Sequence, residues 1–198
     1  RALPEGDYLA AQGGVLLLPD NDPKICVFQG ADGVWCLEYL DGSRPVEPVD
    51  DRDTVQVGVR RWRLSLPVGL APTLTLQDPL DLGLRFRVST DEEYVELEVV
   101  QGGQRYPLGA LAHNYLLLTL ARERLSERER PEAERGWMDL DLLANGLRTT
   151  PATLNVQIHR ARQRFAAAGL QYADRLIERR MRTRKLRLGT DDLNIERC

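Results

Sequence analysis

The sequence is poor in the residues from which metal centres and nucleophilic active sites are built. Its 198 residues include only two histidines, His113 and His159, and three cysteines whose spacing fits no metal site. No serine has an evident histidine partner, and Gly102-Gly103 lacks the lysine and serine of a phosphate-binding loop. We therefore expect no enzymatic activity, no bound metal and no cofactor.

Cysteine is also too scarce for a disulfide framework. The three cysteines are Cys26, Cys36 and Cys198, and an odd number leaves at least one thiol unpaired. Cys26 and Cys36 lie in apolar, strand-like segments, where buried reduced thiols are common. This pattern predicts free thiols and a cytoplasmic protein.

Long hydrophobic runs are missing as well. The longest extends from Tyr115 to Ala121 and is interrupted by Thr119, whereas a membrane-spanning helix needs about 20 apolar residues. The segment from Arg1 to Asp7 has no signal-peptide pattern, and a start at Arg1 suggests a trimmed fragment. We expect no membrane partner.

Positive charge is scarce in most of the chain and concentrated in one segment. Residues 148–188 contain eleven basic and two acidic side chains, a net charge of +9, whereas the whole chain carries −3. Residues 1–70 contain seven basic and eleven acidic side chains. Such segregation costs electrostatic self-repulsion, so the basic segment predicts a polyanionic partner.

The N-terminal part has the pattern of an all-β domain. Residues 8–66 contain short runs of branched and aromatic residues separated by turn clusters, which predicts a β-sandwich or barrel. Residues 68–83 are rich in proline and glycine and predict a linker, which divides the chain into domains at 1–67 and 84–198. The predicted strands are Gly14–Leu18, Ile25–Gln29, Val34–Tyr39, Thr54–Val57 and Arg61–Leu66.

The C-terminal part changes from a strand pattern to a helix pattern and back. Strands are predicted at Arg85–Ser89, Tyr94–Val100 and Arg105–Leu108. Three helices follow: one over Ala110–Arg128, a short one with Asp139 as N-cap, and one that begins at Thr150-Pro151 and ends before Gly169. A closing hairpin is predicted over 176–188. This order is that of a winged helix, so the fold class is α+β.

The third helix, at about 151–168, is the strongest candidate for a binding element. Its apolar residues recur at helical spacing and predict one buried face. At about 100° per residue, the opposite face is polar and its edges are basic. Such side chains suit base edges and phosphates in a DNA major groove, although a solvated surface helix is the alternative. The predicted buried residues are Leu154, Ile158, Ala161, Phe165 and Ala168; the outer ones are Val156, His159, Arg160 and Gln163, with Asn155, Ala166 and Ala167 nearby and Arg162 and Arg164 at the edges.

The run Asn155-Val-Gln-Ile-His-Arg-Ala-Arg-Gln-Arg-Phe165 resembles the recognition helix of OmpR/PhoB-type response-regulator output domains. The resemblance spans about 84–189 and implies a helix in the major groove and a hairpin wing, about 176–188, on the minor groove or backbone. The wing departs from the family by carrying Arg182-Thr-Arg-Lys185 in place of a glycine and aromatic pattern. The residues expected to contact DNA are Asn155, Val156, His159, Arg160, Arg162, Gln163, Arg164, Arg179, Arg180, Arg182, Arg184 and Lys185.

The N-terminal part resembles the latter half of a forkhead-associated (FHA) domain, through Trp35–Ser43, Asp51–Gly58 and Trp62–Leu64. The family's phosphothreonine-binding residues do not carry over, because Ala10-Ala-Gln12 and Asp22-Pro-Lys-Ile25 stand where its Gly-Arg and Ser-x-x-His elements belong. The resemblance therefore implies a degenerate module for protein interaction or self-association.

These features predict a bacterial-type transcriptional regulator that binds specific double-stranded DNA sequences, with the β-domain as the site of signal input. The alternative is an adaptor that uses both domains for protein–protein interaction and binds no DNA. The two hypotheses differ in the partner of the basic segment, which is a nucleic acid in one and a protein in the other.

Overall fold

The computed structural model describes residues 2–3, 9–10, 16–19, 22–30, 33–41, 43–67, 82–170, 173–180 and 183–198. Over these residues the protein is a mixed α+β structure with three α-helices and several β-sheets. The α+β class expected from the sequence is confirmed at this level. No helix in the described ranges is long and apolar enough to cross a membrane.

The described N-terminal residues, 2–67, form two antiparallel sheets. One has the strand order β2-β3-β4-β5 and the other β1-β7-β6. Buried side chains of both sheets, such as Val27 from β3 and Trp62 from β7, share one apolar core. The strands are β1 (Ala2–Leu3), β2 (Leu16–Leu18), β3 (Ile25–Gln29), β4 (Trp35–Tyr39), β5 (Glu47–Pro48), β6 (Thr54–Val57) and β7 (Arg60–Leu64).

Strand β3 of the four-stranded sheet is buried on both faces. Along β3, Ile25 and Val27 point into the core shared by the two sheets, whereas Cys26 and Phe28 point to the opposite face. Each of these four residues is at most 1% exposed. An uninterrupted apolar strand is typical of a sheet covered on both sides, and the cover on the outer side comes from the C-terminal part of the chain.

The C-terminal residues form two further sheets and all three helices. One sheet has the order β10-β9-β8-β14, in which β14 runs parallel to β8, and the other has the order β11-β13-β12. The elements are β8 (Leu82–Val88), β9 (Val95–Gln101), β10 (Gln104–Ala110), α1 (Asn114–Ser126), β11 (Met138–Asp139), α2 (Leu140–Gly146), α3 (Pro151–Ala167), a 3₁₀ turn (Ala173–Leu176), β12 (Ile177–Arg180), β13 (Lys185–Leu188) and β14 (Leu193–Arg197).

The ends of α2 and α3 follow from local side-chain chemistry. The Asp139 carboxylate accepts hydrogen bonds from the backbone N–H groups of Asp141 and Leu142 at the start of α2. The Thr150 hydroxyl accepts one from the N–H of Thr153 at 3.1 Å, and Pro151 occupies the first turn of α3. Both caps satisfy amide groups that have no partner within the helix, and both predictions are confirmed.

Two predicted boundaries are wrong, and two strands were not predicted. The first helix begins at Asn114 instead of Ala110, because β10 continues through Ala110 and pairs with β9. Strand β8 begins at Leu82, inside the predicted linker, and residues 68–81 of that linker lie outside the described residues. Strands β11 and β14 were not predicted, since their pairing partners are distant in the sequence.

A second apolar core lies between the sheet that contains β8 and the helices. It includes Phe86 of β8, Leu120 of α1 and Phe165 of α3, each at most 1% exposed. The predicted buried stripe of α3 is confirmed at Leu154, Ile158, Ala161 and Phe165. This packing fixes the rotation of α3 and therefore decides which of its other side chains face outward.

Candidate nucleic-acid interface

Helix α3 presents three distinct faces. One carries the core residues just named. A second is an exposed ridge, and the third is a flank that is buried against the four-stranded N-terminal sheet. The exposed ridge consists of Arg160, Gln163, Arg164 and Ala167. The buried flank consists of Asn155, His159 and Arg162.

The exposed ridge carries two arginines one helical turn apart. Arg160 and Arg164 are exposed, and within the described part of the chain neither forms an ion pair. Their charge acts on His113, which is buried just before α1: burial lowers the pKa of His113, and the two guanidinium groups lower it further. The outward positions predicted for Arg160 and Gln163 are thus confirmed, and Arg164, predicted at the edge of that face, is also exposed, while Val156 is half-buried.

The buried flank is joined to the N-terminal sheet by an ion pair. Arg179 of β12 donates a hydrogen bond from Nη1 to Oε1 of Glu38 on β4 at 3.1 Å. Its Nη2 donates to Oδ1 of Asn155 on α3 at 2.7 Å. The Arg179 side chain is 5% exposed and that of Glu38 is 2% exposed. One guanidinium group therefore connects β12, α3 and β4.

An aromatic ring completes this contact. The Arg162 guanidinium lies 4.7 Å from the centroid of the Phe28 ring, and that of Arg179 lies 6.0 Å from it. Arg162 also donates from Nη2 to the carbonyl oxygen of Ile177 at 2.9 Å. Cation–π geometry of this kind is favourable where water is excluded. We call the set of Phe28, Glu38, Asn155, Arg162 and Arg179 the inter-module contact.

Two titratable groups report the low polarity of the contact. Burial raises the pKa of the Cys26 thiol to about 12, although the nearby positive charge of Arg162 opposes the shift. Burial lowers the pKa of His159, and Arg162 lowers it further, while Glu38 partly opposes the decrease. Both groups are therefore uncharged near neutral pH.

Four residues that were expected to be accessible to DNA are buried at the inter-module contact. His159 was expected on the outer face of α3, Asn155 near that face, Arg162 at its edge and Arg179 on the wing, but all four are buried. Helical spacing predicts how residues are arranged around the axis of a helix. It does not predict which other segment packs against a flank, so the burial of these polar residues followed only from the tertiary arrangement.

The hairpin of β12 and β13 uses two arginines to hold the loop after α1. Arg180 and Arg187 lie over the Trp137 ring, at 4.1 and 4.5 Å from its centroid. Arg180 donates to the carbonyl oxygen of Ala133 and Arg187 to that of Glu132, each at 2.7 Å. Arg180 was expected to contact DNA, but its side chain is engaged in packing within the protein.

The remaining hairpin residues are more accessible. Arg184 forms an ion pair with Asp141 at 3.1 Å, but its side chain is 59% exposed. Lys185 is half-buried and forms no ion pair with any residue that the structure describes. Arg182 lies outside the described residues.

One exposed cation next to α3 was missed. Arg148 lies in the turn between α2 and α3, where it is exposed and adopts a φ of 51°. No ion pair involves it over the described ranges. The sequence could have indicated it, because Arg148 is two residues before the Thr150 cap. Residues at the start of a groove-binding helix lie close to the phosphate backbone. The described residues also contain no cluster that could hold a metal ion.

Known proteins provide no identification of this surface. No family model matches the chain, and comparisons with curated proteins and with solved structures find no match. The surface is therefore defined by its own geometry: an exposed Arg/Gln ridge on α3, with Arg148 in the turn before the helix. Beside the ridge, the flank that carries Asn155 and Arg162 contacts both β12 and the N-terminal sheet.

Proposed function

We propose that this protein binds double-stranded DNA as a sequence-specific transcriptional regulator, with the exposed ridge of α3 in the major groove. The observation that carries the proposal is the ridge itself, on which Arg160, Gln163 and Arg164 are exposed opposite a well-packed core. Arginine pairs with the acceptor edge of guanine, and glutamine with the donor and acceptor edge of adenine.

The surrounding architecture supports a winged helix-turn-helix arrangement. Helices α2 and α3 are separated by a short turn, and the hairpin of β12 and β13 follows α3 and pairs with β11. In this proposal the hairpin is the wing, and the two N-terminal sheets form a degenerate FHA-like module that receives a signal from a protein or through self-association. The regulator acts in the cytoplasm, in keeping with its free thiols.

Four cations are available to phosphates without breaking an ion pair among the described residues. They are Arg148, Arg160, Arg164 and Lys185. Each phosphate neutralised on duplex DNA contributes about −0.9 to the slope of log affinity against log salt concentration. We therefore expect a slope of about −3 to −4 for the wild-type chain.

The proposal is tested by selecting bound sequences from random duplex DNA and then measuring affinities of two variants. Arg160→Ala is expected to reduce discrimination between the selected duplex and a scrambled one by about 1–3 kcal/mol. Lys185→Ala is expected to weaken both duplexes alike and to make the salt slope shallower by about one. Arg105→Ala is the control, because Arg105 pairs with Glu98 on another sheet, and it should change neither quantity.

Two results would contradict this function. One is the absence of binding to any duplex at low salt. The other is an equal, sequence-independent loss in Arg160→Ala and Lys185→Ala, which would show that α3 does not discriminate between bases.

The alternative function is an adaptor that contacts proteins with the same elements. It is favoured by one observation, namely that a flank of α3 expected to face DNA already contacts the N-terminal sheet through Arg162, which lies over the Phe28 ring. An adaptor would bind no duplex even when that contact is opened by mutation, as in Glu38→Gln.

A further inference from the structure

We propose that the inter-module contact is autoinhibitory: the N-terminal sheet covers a flank of α3, and DNA binds fully only after the sheet has moved away. This inference rests on the proposed DNA-binding function. The sheet would then control the DNA-binding surface directly, and any partner that competes for the outer face of the sheet would activate the regulator.

The N-terminal sheet occupies space beside one flank of α3 that a bound duplex would need. The major groove is about 12 Å wide, and an α-helix with its side chains has a diameter of about 10–12 Å. A helix in the groove therefore has a phosphate wall beside each flank. On one flank of α3, Arg162 is 5% exposed, and its guanidinium group lies 4.7 Å from the centroid of the Phe28 ring of β3. A phosphate backbone cannot occupy the same space as β3.

The guanidinium group of Arg179 is already bound by Glu38 and Asn155. Arg179 was expected to bind a phosphate, and here the Glu38 carboxylate accepts its hydrogen bond at 3.1 Å. Asn155, a candidate for base contact, accepts the second hydrogen bond of the same guanidinium group. An acidic side chain of the N-terminal sheet thus occupies the place of the expected anion, so binding of the sheet and binding of the duplex are mutually exclusive for these residues.

The contact contains groups that favour the closed state and groups that disfavour it. The apolar cluster on the outer face of the sheet, which includes Cys26, Phe28, Cys36 and Leu40, favours burial. The desolvation of the charged groups offsets much of their attraction. Nδ1 of His159 is buried in the contact and has no hydrogen-bond partner within the described ranges, which disfavours the closed state. Polar contacts between domains are typical of domains that separate and reassociate.

The test compares two isosteric charge removals in the full chain. Glu38→Gln weakens the contact, whereas Glu47→Gln removes an exposed carboxylate from β5 of the same sheet. The probe is the duplex obtained by selection with the wild-type chain and, in parallel, with Glu38→Gln. If the closed state limits binding, Glu38→Gln should tighten binding by at least about tenfold. It should also steepen the salt slope by about one, because Arg179 becomes free for a phosphate.

The outcomes separate the inference from the function on which it rests. Equal affinities and slopes for Glu38→Gln, Glu47→Gln and the wild-type chain would overturn autoinhibition while leaving DNA binding intact. If neither the wild-type chain nor Glu38→Gln binds any duplex at low salt, DNA binding itself fails and the adaptor function is favoured. A gain that Glu47→Gln reproduces in full would reflect net charge alone and would also overturn autoinhibition.

A second measurement leaves the contact intact and guards against misfolding of the variant. Cys26 lies on the outer face of the sheet and is 1% exposed, so its alkylation rate reports separation of the sheet from α3. In a Cys198→Ser chain, which lacks the exposed thiol, saturating selected duplex should accelerate alkylation of Cys26 by at least about tenfold, since coupling between two binding events is reciprocal. Unchanged alkylation at saturation would show that DNA binds the closed form and would overturn the inference.

Discussion

The surroundings of each arginine, more than its presence in a basic segment, decide what it does in this protein. Arg160 is exposed on α3, Arg179 is paired with Glu38 in the inter-module contact, and Arg180 is stacked on Trp137. Outside the basic segment, Arg124 is 2% exposed and donates from Nε to Oδ1 of Asp191 at 2.6 Å. Arginines of equal charge are therefore exposed in one place and engaged in packing in another.

The close packing of Arg124 against Gly136 predicts that substitution of this glycine is unusually destabilising. Gly136 has a φ of +75°, and an added Cβ would lie 2.8 Å from Cβ of Arg124. Gly136→Ala should therefore lower the free energy of unfolding by about 3 kcal/mol, from backbone strain and steric overlap together. Urea denaturation measures this loss. Gly102→Ala is the control, because Gly102 has a φ of +57° but open space around it, and it should cost only about 1 kcal/mol. Equal losses would contradict the steric argument.

The two histidines predict how stability depends on pH. Burial lowers the pKa of both His113 and His159 in the folded protein, whereas an unfolded histidine has a pKa of about 6.5. The unfolded state therefore binds more protons as the pH falls below that value. The contribution of the neutral histidines to stability is fully present above the unfolded pKa. It is lost as the pH falls towards the lower pKa of the folded protein. The free energy of unfolding should decrease between about pH 7 and pH 5.

Variants of the two histidines test whether they cause this decrease in the free energy of unfolding. His113→Gln and His159→Gln should each make the decrease shallower, because each removes one group that charges only after unfolding. Chemical denaturation at a series of pH values measures the slope. The exposed acids with lowered pKa values, such as Asp91 and Glu92, respond at lower pH and do not affect this window. A slope unchanged in both variants would show that the histidines are not its cause.

At the scale of secondary structure, the elements with local signals were predicted and those that depend on distant pairing were not. The caps at Asp139 and Thr150 and the apolar stripe of α3 were correct because they involve residues within one or two turns. Strand β14 was missed because its partner is β8, and the register is Leu193 opposite Leu84. No periodicity within a short strand reveals such a partner.

The cap of α3 makes a quantitative prediction about this helix. Thr150→Val keeps the branched shape but removes the hydroxyl that accepts from the Thr153 N–H group. The free energy of unfolding should fall by about 1 kcal/mol. Thr149→Val, one residue earlier and outside the cap, should change it by less than about 0.5 kcal/mol. Similar losses in the two variants, measured by denaturation, would mean that the hydroxyl has no capping role.

At the scale of the whole molecule, the two largest apolar cores are connected by a contact that combines charged groups with a third apolar cluster. One core lies between the N-terminal sheets and another beneath the helices, and the third cluster is on the outer face of the four-stranded sheet. The inter-module contact joins these parts through Phe28 and the guanidinium groups of Arg162 and Arg179. Coupling between the cores should therefore depend on the Phe28 ring.

Calorimetry can test this coupling. We expect the wild-type chain to unfold in one thermal transition and Phe28→Ala to unfold in two, because the variant loses the ring that both arginines contact. Val27→Ala is the matched control, since Val27 is the neighbouring residue of β3 and points into the other core. It should lower the transition temperature but leave a single transition. Two transitions in the wild-type chain would show that the modules are not coupled.

The sequence by itself determined the features that depend on near neighbours: the α+β class, the caps of α2 and α3, the core face of α3 and the concentration of positive charge. Only the tertiary structure decided what covers the outer face of β3, and hence that Asn155, His159, Arg162 and Arg179 are buried while Arg160 and Arg164 are exposed. The reason is physical: caps and stripes form between residues a few positions apart, whereas Arg179 meets Glu38 across 141 residues, and no local pattern encodes that meeting.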